Sequence, residues 1–538
     1  MMRPALYWHT LRHLKPVQLW GRIVHSVRHP LPDGAPPPPL RTLRGPWVAP
    51  PPRPPTQLDG RRFRFLNVER EVASAADWNH PGWEKLWLYN LHYFDDLAAA
   101  GFRDTAERWI AENPPADGNG WEPYPLSLRI VNWIKWSLAG GELSAPMRHS
   151  LAIQCRQLAQ RIEWHLLGNH LFANAKALVF AGCFFEGDQA RHWLARGLAI
   201  LERERAEQIL ADGAHFELSP MYHAIILEDM LDLVNLARAC PGAFRPEPFA
   251  ECAALMLGWL ARVTHPDGDI AFFNDAALGI ASRPADIEAY AARLDIAEVA
   301  ATAGGAANYL RLQSGAACVL LDVAPVGPDY IPGHAHADTL SFELSLGDER
   351  VIVNSGTSTY APSSERLRQR STAAHSTLEI DGENSSEVWG SFRVARRARP
   401  FALSVSREAG ASGGVEPGVF RVSCAHDGYR RLSGRPVHRR EWRLTAGALA
   451  VTDSIDGRFS RAVARFHFHP DCALVEHDGN GGALRTRRGG MVRWSIEGGH
   501  GRVVETTYHP RFGVVLPNRC LEVETVDRPV ATHFNGGG

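Results

Sequence analysis

Residues 331–344 read IPGHAHADTLSFEL and gather side chains that can do chemistry. His334 and His336 are separated by one alanine, and Asp338 follows two residues later. Residues 339–344 and 351–354 read as β, which sets the cluster at the mouth of a strand. In extended backbone, side chains two apart share a face, so two imidazoles and a carboxylate project together. That face is a poor core and a good site, because imidazole titrates near neutrality and takes either a proton or a metal ion. The plain alternative is a histidine pair on a surface loop.

Four other stretches carry unusual polar content. Residues 120–133 (GWEPYPLSLRIVNW) hold Arg129 and Asn132 near a helix start. Residues 168–178 (GNHLFANAKAL) set Asn169 and His170 at a helix N-terminus, where free N–H groups favour anions. Residues 216–231 (FELSPMYHAIILEDML) place Tyr222 and His223 just after a Ser-Pro helix start, and residues 370–378 (RSTAAHSTL) present His375 before a strand. Taken singly, each has a bland use. A tyrosine packs helices, an asparagine caps one, and an arginine pairs with an acid at the surface.

The elements that must position these residues follow from periodicity. Residues 1–30 read as a short amphipathic helical lead, and proline crowds 30–55, which predicts an extended strap over the first domain. From 78 to 300 apolar residues recur at helical spacing, over 83–100, 126–138, 145–167, 171–185, 189–210, 220–239 and 248–263. Short links make neighbours antiparallel, and the absence of a fixed repeat favours a closed helical toroid over a solenoid. After 308 the period changes to two, with Gly, Asp and Asn turns, which predicts a large antiparallel β-sandwich. The domains are therefore 1–60 (lead and strap), 61–304 (incomplete α/α toroid) and 305–538 (sandwich). The cleft between the last two is the default site.

Composition sets the outer bounds. Of 538 residues, 45% are apolar and 22% charged, and the net charge is −1. Nothing global argues for nucleic acid, so a polyanionic partner would be met by local arginines. The eight cysteines are scattered without a CxxC, which predicts buried free thiols. The N-terminus lacks an apolar core and cleavage site of the secretory type, and no run is long enough to span a bilayer. The expectation is a cytoplasmic protein, or one exported to the periplasm or beyond by a route the sequence does not show, with no membrane partner.

Taken together, YNLHYFDDL, GNHLFANAKAL, FELSPMYHAIILEDMLDL, GHAHADTLSFEL and RSTAAHSTLEIDGENSSEVWGSFR resemble the heparinase II/III-like polysaccharide lyases. The resemblance runs from about residue 60 to at least 400, and that family's fold is a toroid followed by a sandwich. It implies an anionic, uronate-containing polysaccharide as substrate. Asn169 and His170 would contact the uronate carboxylate, Tyr222 would serve as acid and, as in some members, also as base, and His334 would be the catalytic histidine of the sandwich edge, so that either His334 or Tyr222 is the base. His336 and His375 would hold a structural divalent metal (zinc, manganese or calcium) with an aspartate from an intervening strand. Asn354 stands in that aspartate's place here, and an amide oxygen ligates without bringing charge. No organic cofactor is implied. Arg129, Asn132, His223, Trp389 and Arg393 are candidates for holding the polymer, by bidentate pairing and stacking.

The chemistry explains the residue types. A uronic acid has a proton at C5 beside its carboxylate and a glycosidic oxygen at C4. β-Elimination removes the proton, passes through an enolate-like dianion and expels the C4 oxygen. Donors must face the carboxylate, one group must take a proton and one must give a proton. His334 acts as base near neutrality. Tyr222 is an acid as it stands, and acts as base only beside a cation. Three rivals share some of these features. A uronyl C5-epimerase would take the same first step. A metallohydrolase is suggested by HxHxD but disfavoured by Thr339 after Asp338. A non-catalytic glycan binder of an exopolysaccharide pathway would leave the polymer intact.

Overall fold

The computed structural model describes residues 4–42, 44–300, 306–408, 418–526 and 529–536. Apolar residues at three- and four-residue spacing fold into successive helices, among them Phe102–Glu112, Pro123–Leu138, Ala145–Gln160, Gly168–Phe184, Asp188–Gln208, Pro220–Ala239, Glu247–Arg262 and Pro284–Arg293. The Gly168–Phe184 helix is mostly apolar, carries Asn174 and an ion-paired Lys176 among its buried positions, and is buried at every residue but His170, as expected of a helix enclosed by others. The proline-rich segment is extended and lies on these helices. Arg41 donates its amide to the Phe184 carbonyl at 2.8 Å, and the Arg156 guanidinium donates to the Ala35 and Pro36 carbonyls at 2.7 and 2.8 Å.

Two expected helices are shorter than their periodicity. The one read over 83–100 is Lys85–Leu91, because Phe94 turns into the left-handed region (φ 55°) and Asp96 accepts the Thr56 amide of the strap at 2.9 Å. The one read over 145–167 ends at Gln160. Leu167 and Gly168 then adopt φ of 64° and 55°, and this corner aims the next helix N-terminus at the cleft. A Cβ on Gly168 would meet Ile331 Cδ1 at 2.6 Å and Glu217 Oε1 at 2.9 Å, so glycine is required there for both space and conformation.

The C-terminal half is two antiparallel sheets packed face to face. One runs through His500–Tyr508, Leu516–Thr525, Ala462–Phe468, Glu349–Val353, Phe342–Leu346, Ala317–Asp322 and Tyr309–Ser314. The other runs through Pro400–Glu408, Val419–His426, Val437–Thr445, Ala448–Asp456, Val530–Gly536, Met491–Glu497, Gly481–Arg485 and Ala473–His477. Phe342, Trp442, Val451, Phe466, Trp494 and Phe534 fill the space between them. Strand Ala317–Asp322 is buried at every position, because helical-domain residues Trp259 and Phe273 cover its other face together with Tyr309. One sheet is thus held between its partner and the toroid, and the seam brings strand ends against helix starts. The boundary expected at 304/305 falls outside the described residues. All eight cysteines are free thiols, and among the described residues no helix is long and apolar enough to cross a membrane.

Candidate active site

Three helix-domain corners and one sandwich loop converge at the seam. The sandwich loop is the HAHAD segment, which is irregular rather than strand. Leu340 takes φ 64°, Ser341 closes a turn onto the Asp338 carbonyl at 2.8 Å, and the strand begins only at Phe342. Arg370, fully buried, clamps this loop by donating to the Ala335 carbonyl at 2.8 and 3.1 Å. Burial and the neighbouring Arg366 push the Arg370 guanidinium down to about 9. From the other side Asn274, in the left-handed region at φ 56°, accepts the His336 amide at 2.9 Å.

The centre of the site is Asp275, which follows Asn274 and is fully buried. Its Oδ2 accepts from His334 Nδ1 at 3.0 Å and its Oδ1 from His336 Nε2 at 2.8 Å. Arg366 meets the same carboxylate with both terminal nitrogens, at 2.5 and 2.7 Å. Burial pushes the Asp275 carboxyl up, but Arg366 and the hydrogen bonds from the two histidines outweigh it and hold it well below the usual range. An ionised Asp275 accepts only, so both histidines present N–H to it, and at His336, whose charged form burial disfavours, the far nitrogen carries a lone pair.

For His334 the far nitrogen, Nε2, faces the cleft 3.5 Å from Glu217 Oε2. The imidazole lies against the Tyr222 ring, with centroids 3.8 Å apart and planes within 28°. Ser219 positions Tyr222 by capping its helix, accepting the Tyr222 amide at 3.2 Å, and Tyr222 Oη lies 3.3 Å from Tyr360 Oη. Burial, then the neighbouring Tyr360 and Tyr124, push the Tyr222 phenol well above its ordinary value, so it keeps its proton. Phe392 closes the wall, 6.2 Å from His334 and 5.2 Å from Tyr360 between ring centroids.

Asn169 and His170 open the Gly168–Phe184 helix at the same cleft. Asn169 donates its side-chain amide to Glu217 Oε1 at 3.1 Å, so Glu217 stands between this amide and His334. His170 Nδ1 lies 3.2 Å from Glu163 Oε2, and its ring meets the Tyr124 ring at a tilt of 36°, centroids 4.3 Å apart. Burial pushes His170 down, but the charge and hydrogen bond of Glu163, with Glu217 and Glu122, outweigh it and raise the imidazole above its usual value. The helix start thus presents an amide donor and a readily protonated imidazole, a suitable receptor for a carboxylate.

The third arm of the site is a donor set for a cation. His336 Nδ1 and His375 Nε2 face each other at 3.1 Å, and these nitrogens and an Asp338 oxygen lie within 4.8 Å of one another. His375 Nδ1 donates to the Ser371 carbonyl at 2.7 Å, as His336 Nε2 does to Asp275. Both tautomers are therefore set from behind, and two lone pairs point at one spot. Burial pushes His336 down to about 4, against the pull of Asp275, so a proton there is disfavoured and a cation suits the gap. Two nitrogens about 2.0–2.1 Å from a tetrahedral zinc stand roughly 3.3 Å apart, close to the spacing seen. Asn354 is not part of this set. Its Oδ1 accepts the Ser376 amide at 2.9 Å and its Nδ2 donates to the Phe272 carbonyl at 3.0 Å. The carboxylate that stands beside the two histidines is that of Asp338, from the HAHAD loop itself.

Of the five candidates for holding polymer, Arg129 and His223 lie in the core, whereas Asn132 and Trp389 are half-buried and Arg393 is exposed. Arg129 is fully buried over the Trp109 ring at 3.8 Å and donates to Gln154, His92 and Gly120, so it neither reaches the cleft nor provides the cation for Tyr222. His223, also fully buried, donates to the Met256 carbonyl at 2.9 Å and packs at a tilt against Trp259. Asn132 donates to the Tyr93 carbonyl at 2.9 Å. Trp389 donates to Thr10 Oγ1 at 3.1 Å, and the Arg393 guanidinium sits over its ring at 4.7 Å. The two pair across a short hairpin that sends Phe392 to the site instead. Asp275, Glu217, Glu163, Arg366, Tyr360 and Phe392 were not singled out from sequence. Glu217 lies in FELSPMYH and Asp275 in FFNDA, where an acid amid apolar residues near a chain corner is the available signal.

The chain matches the family model for the heparinase II/III N-terminus over residues 102–292 and that for the heparinase II/III-like C-terminal domain over residues 298–530. It is 27% identical over 249 residues to a heparin-sulfate lyase of Bacteroides stercoris, covering 41% of this chain and 37% of the relative. It is 32% identical over 206 residues to a heparin-sulfate lyase of Bacteroides thetaiotaomicron, covering 34% and 29%. The matched stretch therefore spans about a third of those relatives. Among solved structures, a heparinase III superposes with TM-score 0.64 at 15% identity over 97% of this chain and 85% of that one. The heparan sulfate lyase HepC from Pedobacter heparinus superposes with TM-score 0.57 at 18% identity over 97% and 87%. These two likenesses are of fold.

Proposed function

This chain belongs to the heparinase II/III-like family, and from that premise we propose that it is a polysaccharide lyase cleaving a uronate-containing, glycosaminoglycan-type polymer by β-elimination. The observation that carries this reading is the His334–Tyr222 pair. A histidine with one nitrogen committed to an ionised aspartate lies face to face with a phenol that keeps its proton. A base and an acid thus stand side by side, next to a carboxylate receptor.

In the proposed reaction the uronate carboxylate lies at the start of the Gly168–Phe184 helix. Protonated His170 donates to it, and so does the second N–H of the Asn169 amide, whose first is held by Glu217. His334 Nε2 takes the C5 proton. The imidazolium that forms is flanked by Asp275 and Glu217, which stabilise its charge. The electron pair left at C5 delocalises into the carboxylate, then forms the C4–C5 double bond as the C4–oxygen bond breaks. Tyr222 gives its proton to the departing oxygen. Tyr222 suits the acid role, because its environment opposes ionisation and Arg366, the nearby cation, is neutralised by Asp275. The resemblance left His334 and Tyr222 both open as base, and the environment supports His334.

The test is ultraviolet absorbance of the protein mixed with a panel of uronate polymers, reading the 4,5-unsaturated product. A rise is expected with heparan-sulfate-type chains, the polymer class named by the relatives. A flat trace across the panel would overturn the lyase reading, and solvent deuterium entering C5 without absorbance would replace it with epimerisation.

We also infer that His336, Asp338 and His375 hold a structural divalent cation, with zinc or manganese favoured over calcium by the two imidazoles. The cation would set the HAHAD loop from behind, and it takes no part in proton transfer. Chelation is expected to lower the melting temperature by about 5 °C, the size of a ligand held well below its free concentration. The Asp338→Ala variant should melt at the lower temperature with or without chelator. An unchanged melting curve for the parent protein would exclude a bound ion.

A further inference from the structure

The helix Pro16–Val27 is turned the wrong way for a helix of a free globular surface. Its inward face is Gln18 and Gly21, both buried. Gln18 donates to the Tyr330 carbonyl at 3.1 Å, and a Cβ on Gly21 would meet the His165 backbone nitrogen at 2.8 Å. Helical spacing then sends Leu19, Trp20, Ile23 and Val27 outward as one stripe. They are 49, 66, 56 and 73% exposed, and Leu31 beyond the helix is 86% exposed. Two more large apolar side chains, Trp8 and Leu11 of the preceding helix, are 66 and 52% exposed. Apolar side chains scattered singly on a surface need no account, but an aligned row does.

The charge around the stripe identifies its partner. Residues 1–32 contain five Lys and Arg and no Asp or Glu. Arg22 and Arg28 are exposed; they lie on either side of the stripe at the borders of the inward face, Arg22 one turn from Gln18 and Arg28, the helix C-cap, two turns from Gly21. A second copy of this face would bring cations against cations, so self-association does not suit it. A stripe with aromatic and aliphatic side chains, on a convex helix, with arginines on both flanks, has the form of a helix lying in a lipid interface. The arginines sit where they can extend to anionic headgroups while the stripe enters the acyl boundary.

We propose that the N-terminal helices dock this protein on an anionic membrane surface, with Leu19, Trp20, Ile23 and Val27 inserted and Arg22 and Arg28 on the headgroups. The protein lies on the bilayer and does not cross it. The sequence-based expectation of no membrane partner rested on the lack of a spanning segment and does not bear on interfacial docking. This proposal is independent of the reaction assigned to the cleft.

The experiment is co-sedimentation of the full chain with vesicles of phosphatidylcholine, with and without phosphatidylglycerol, at rising salt. The parent protein is expected to pellet with the anionic vesicles at low salt and to remain in solution with the neutral ones. Arg22→Gln with Arg28→Gln should weaken the partition about thirtyfold, at roughly one lost headgroup contact per arginine. Trp20→Glu with Ile23→Glu should abolish it. Both variants should keep the parent melting temperature and the parent turnover, since these side chains face outward. Failure of the parent protein to bind anionic vesicles would overturn the proposal. So would a Trp20→Glu, Ile23→Glu protein that still pellets, or one that changes only oligomeric state or retention on an anionic polysaccharide.

Discussion

Asp275→Asn is expected to lower kcat by about three to four orders of magnitude, on the precedent of a histidine deprived of its orienting carboxylate. Four partners meet at this carboxylate: His334, His336, Arg366 and, at 3.4 Å, the Thr357 hydroxyl. An asparagine keeps the shape but offers an NH2 group, which only donates, and one neutral oxygen where two anionic oxygens stood. Where its N–H faces His334 Nδ1, the imidazole must turn its lone pair inward and its proton toward the cleft, the wrong tautomer for a base. The variant should also lose about 3–5 kcal/mol of stability, because Arg366 is left buried without its counter-charge. The two effects can be separated. Adding Arg366→Met removes the stranded cation and should recover part of the stability while leaving kcat low. Asp275 is thus a positioning residue, and its loss should fall on kcat rather than on KM. Recovery of turnover with stability in the double variant would show that Asp275 acts only through the fold.

What could be read from the sequence divides along a physical line. Periodicity is a local property, so the helical half, the strand-rich half and the corners between helices were visible in it. The HAHAD spacing likewise placed His334, His336 and Asp338 in one small volume, although the segment is a clamped loop and not a strand. Partners supplied by tertiary contact were out of reach. Asp275 lies 59 residues from His334 in the chain, and nothing about a lone aspartate in FFNDA announces a carboxylate shared by two histidines and an arginine. Arg129 failed for the converse reason. An arginine near a helix start looks available for a polyanion, but indole faces and backbone carbonyls can take it into a core. Asn354 occupies the register expected for a metal ligand, and its amide is consumed by two backbone groups.

The lead helices show the same limit from another side. Their spacing reveals an apolar face, but amphipathicity alone does not say which way the face points. Only the packing of Gln18 and Gly21 against Tyr330 and His165 reveals that it points away from the protein. The absence of acids over residues 1–32 was present in the sequence all along, and it gains meaning once the stripe between the arginines is seen to be outside.

Tyr222→Phe is expected to reduce kcat by about two to four orders of magnitude, the usual contribution of a positioned proton donor, while KM changes little. The substitution removes one oxygen and keeps the ring that lies against His334, so the imidazole should stay in place. The lost interaction is made mainly in the transition state, as charge builds on the departing oxygen, and such a loss falls on kcat rather than on binding. The leaving group gives a sharper readout. A substrate whose C4 substituent departs readily as an anion needs little help from an acid, so Tyr222→Phe should cost far less with such a substrate. His334→Ala should cost the same with both, because the C5 proton must be removed in either case. If Tyr222 were the base, Tyr222→Phe would be equally damaging for good and poor leaving groups. That crossed pattern, measured on one pair of substrates, assigns the two proton transfers to their residues.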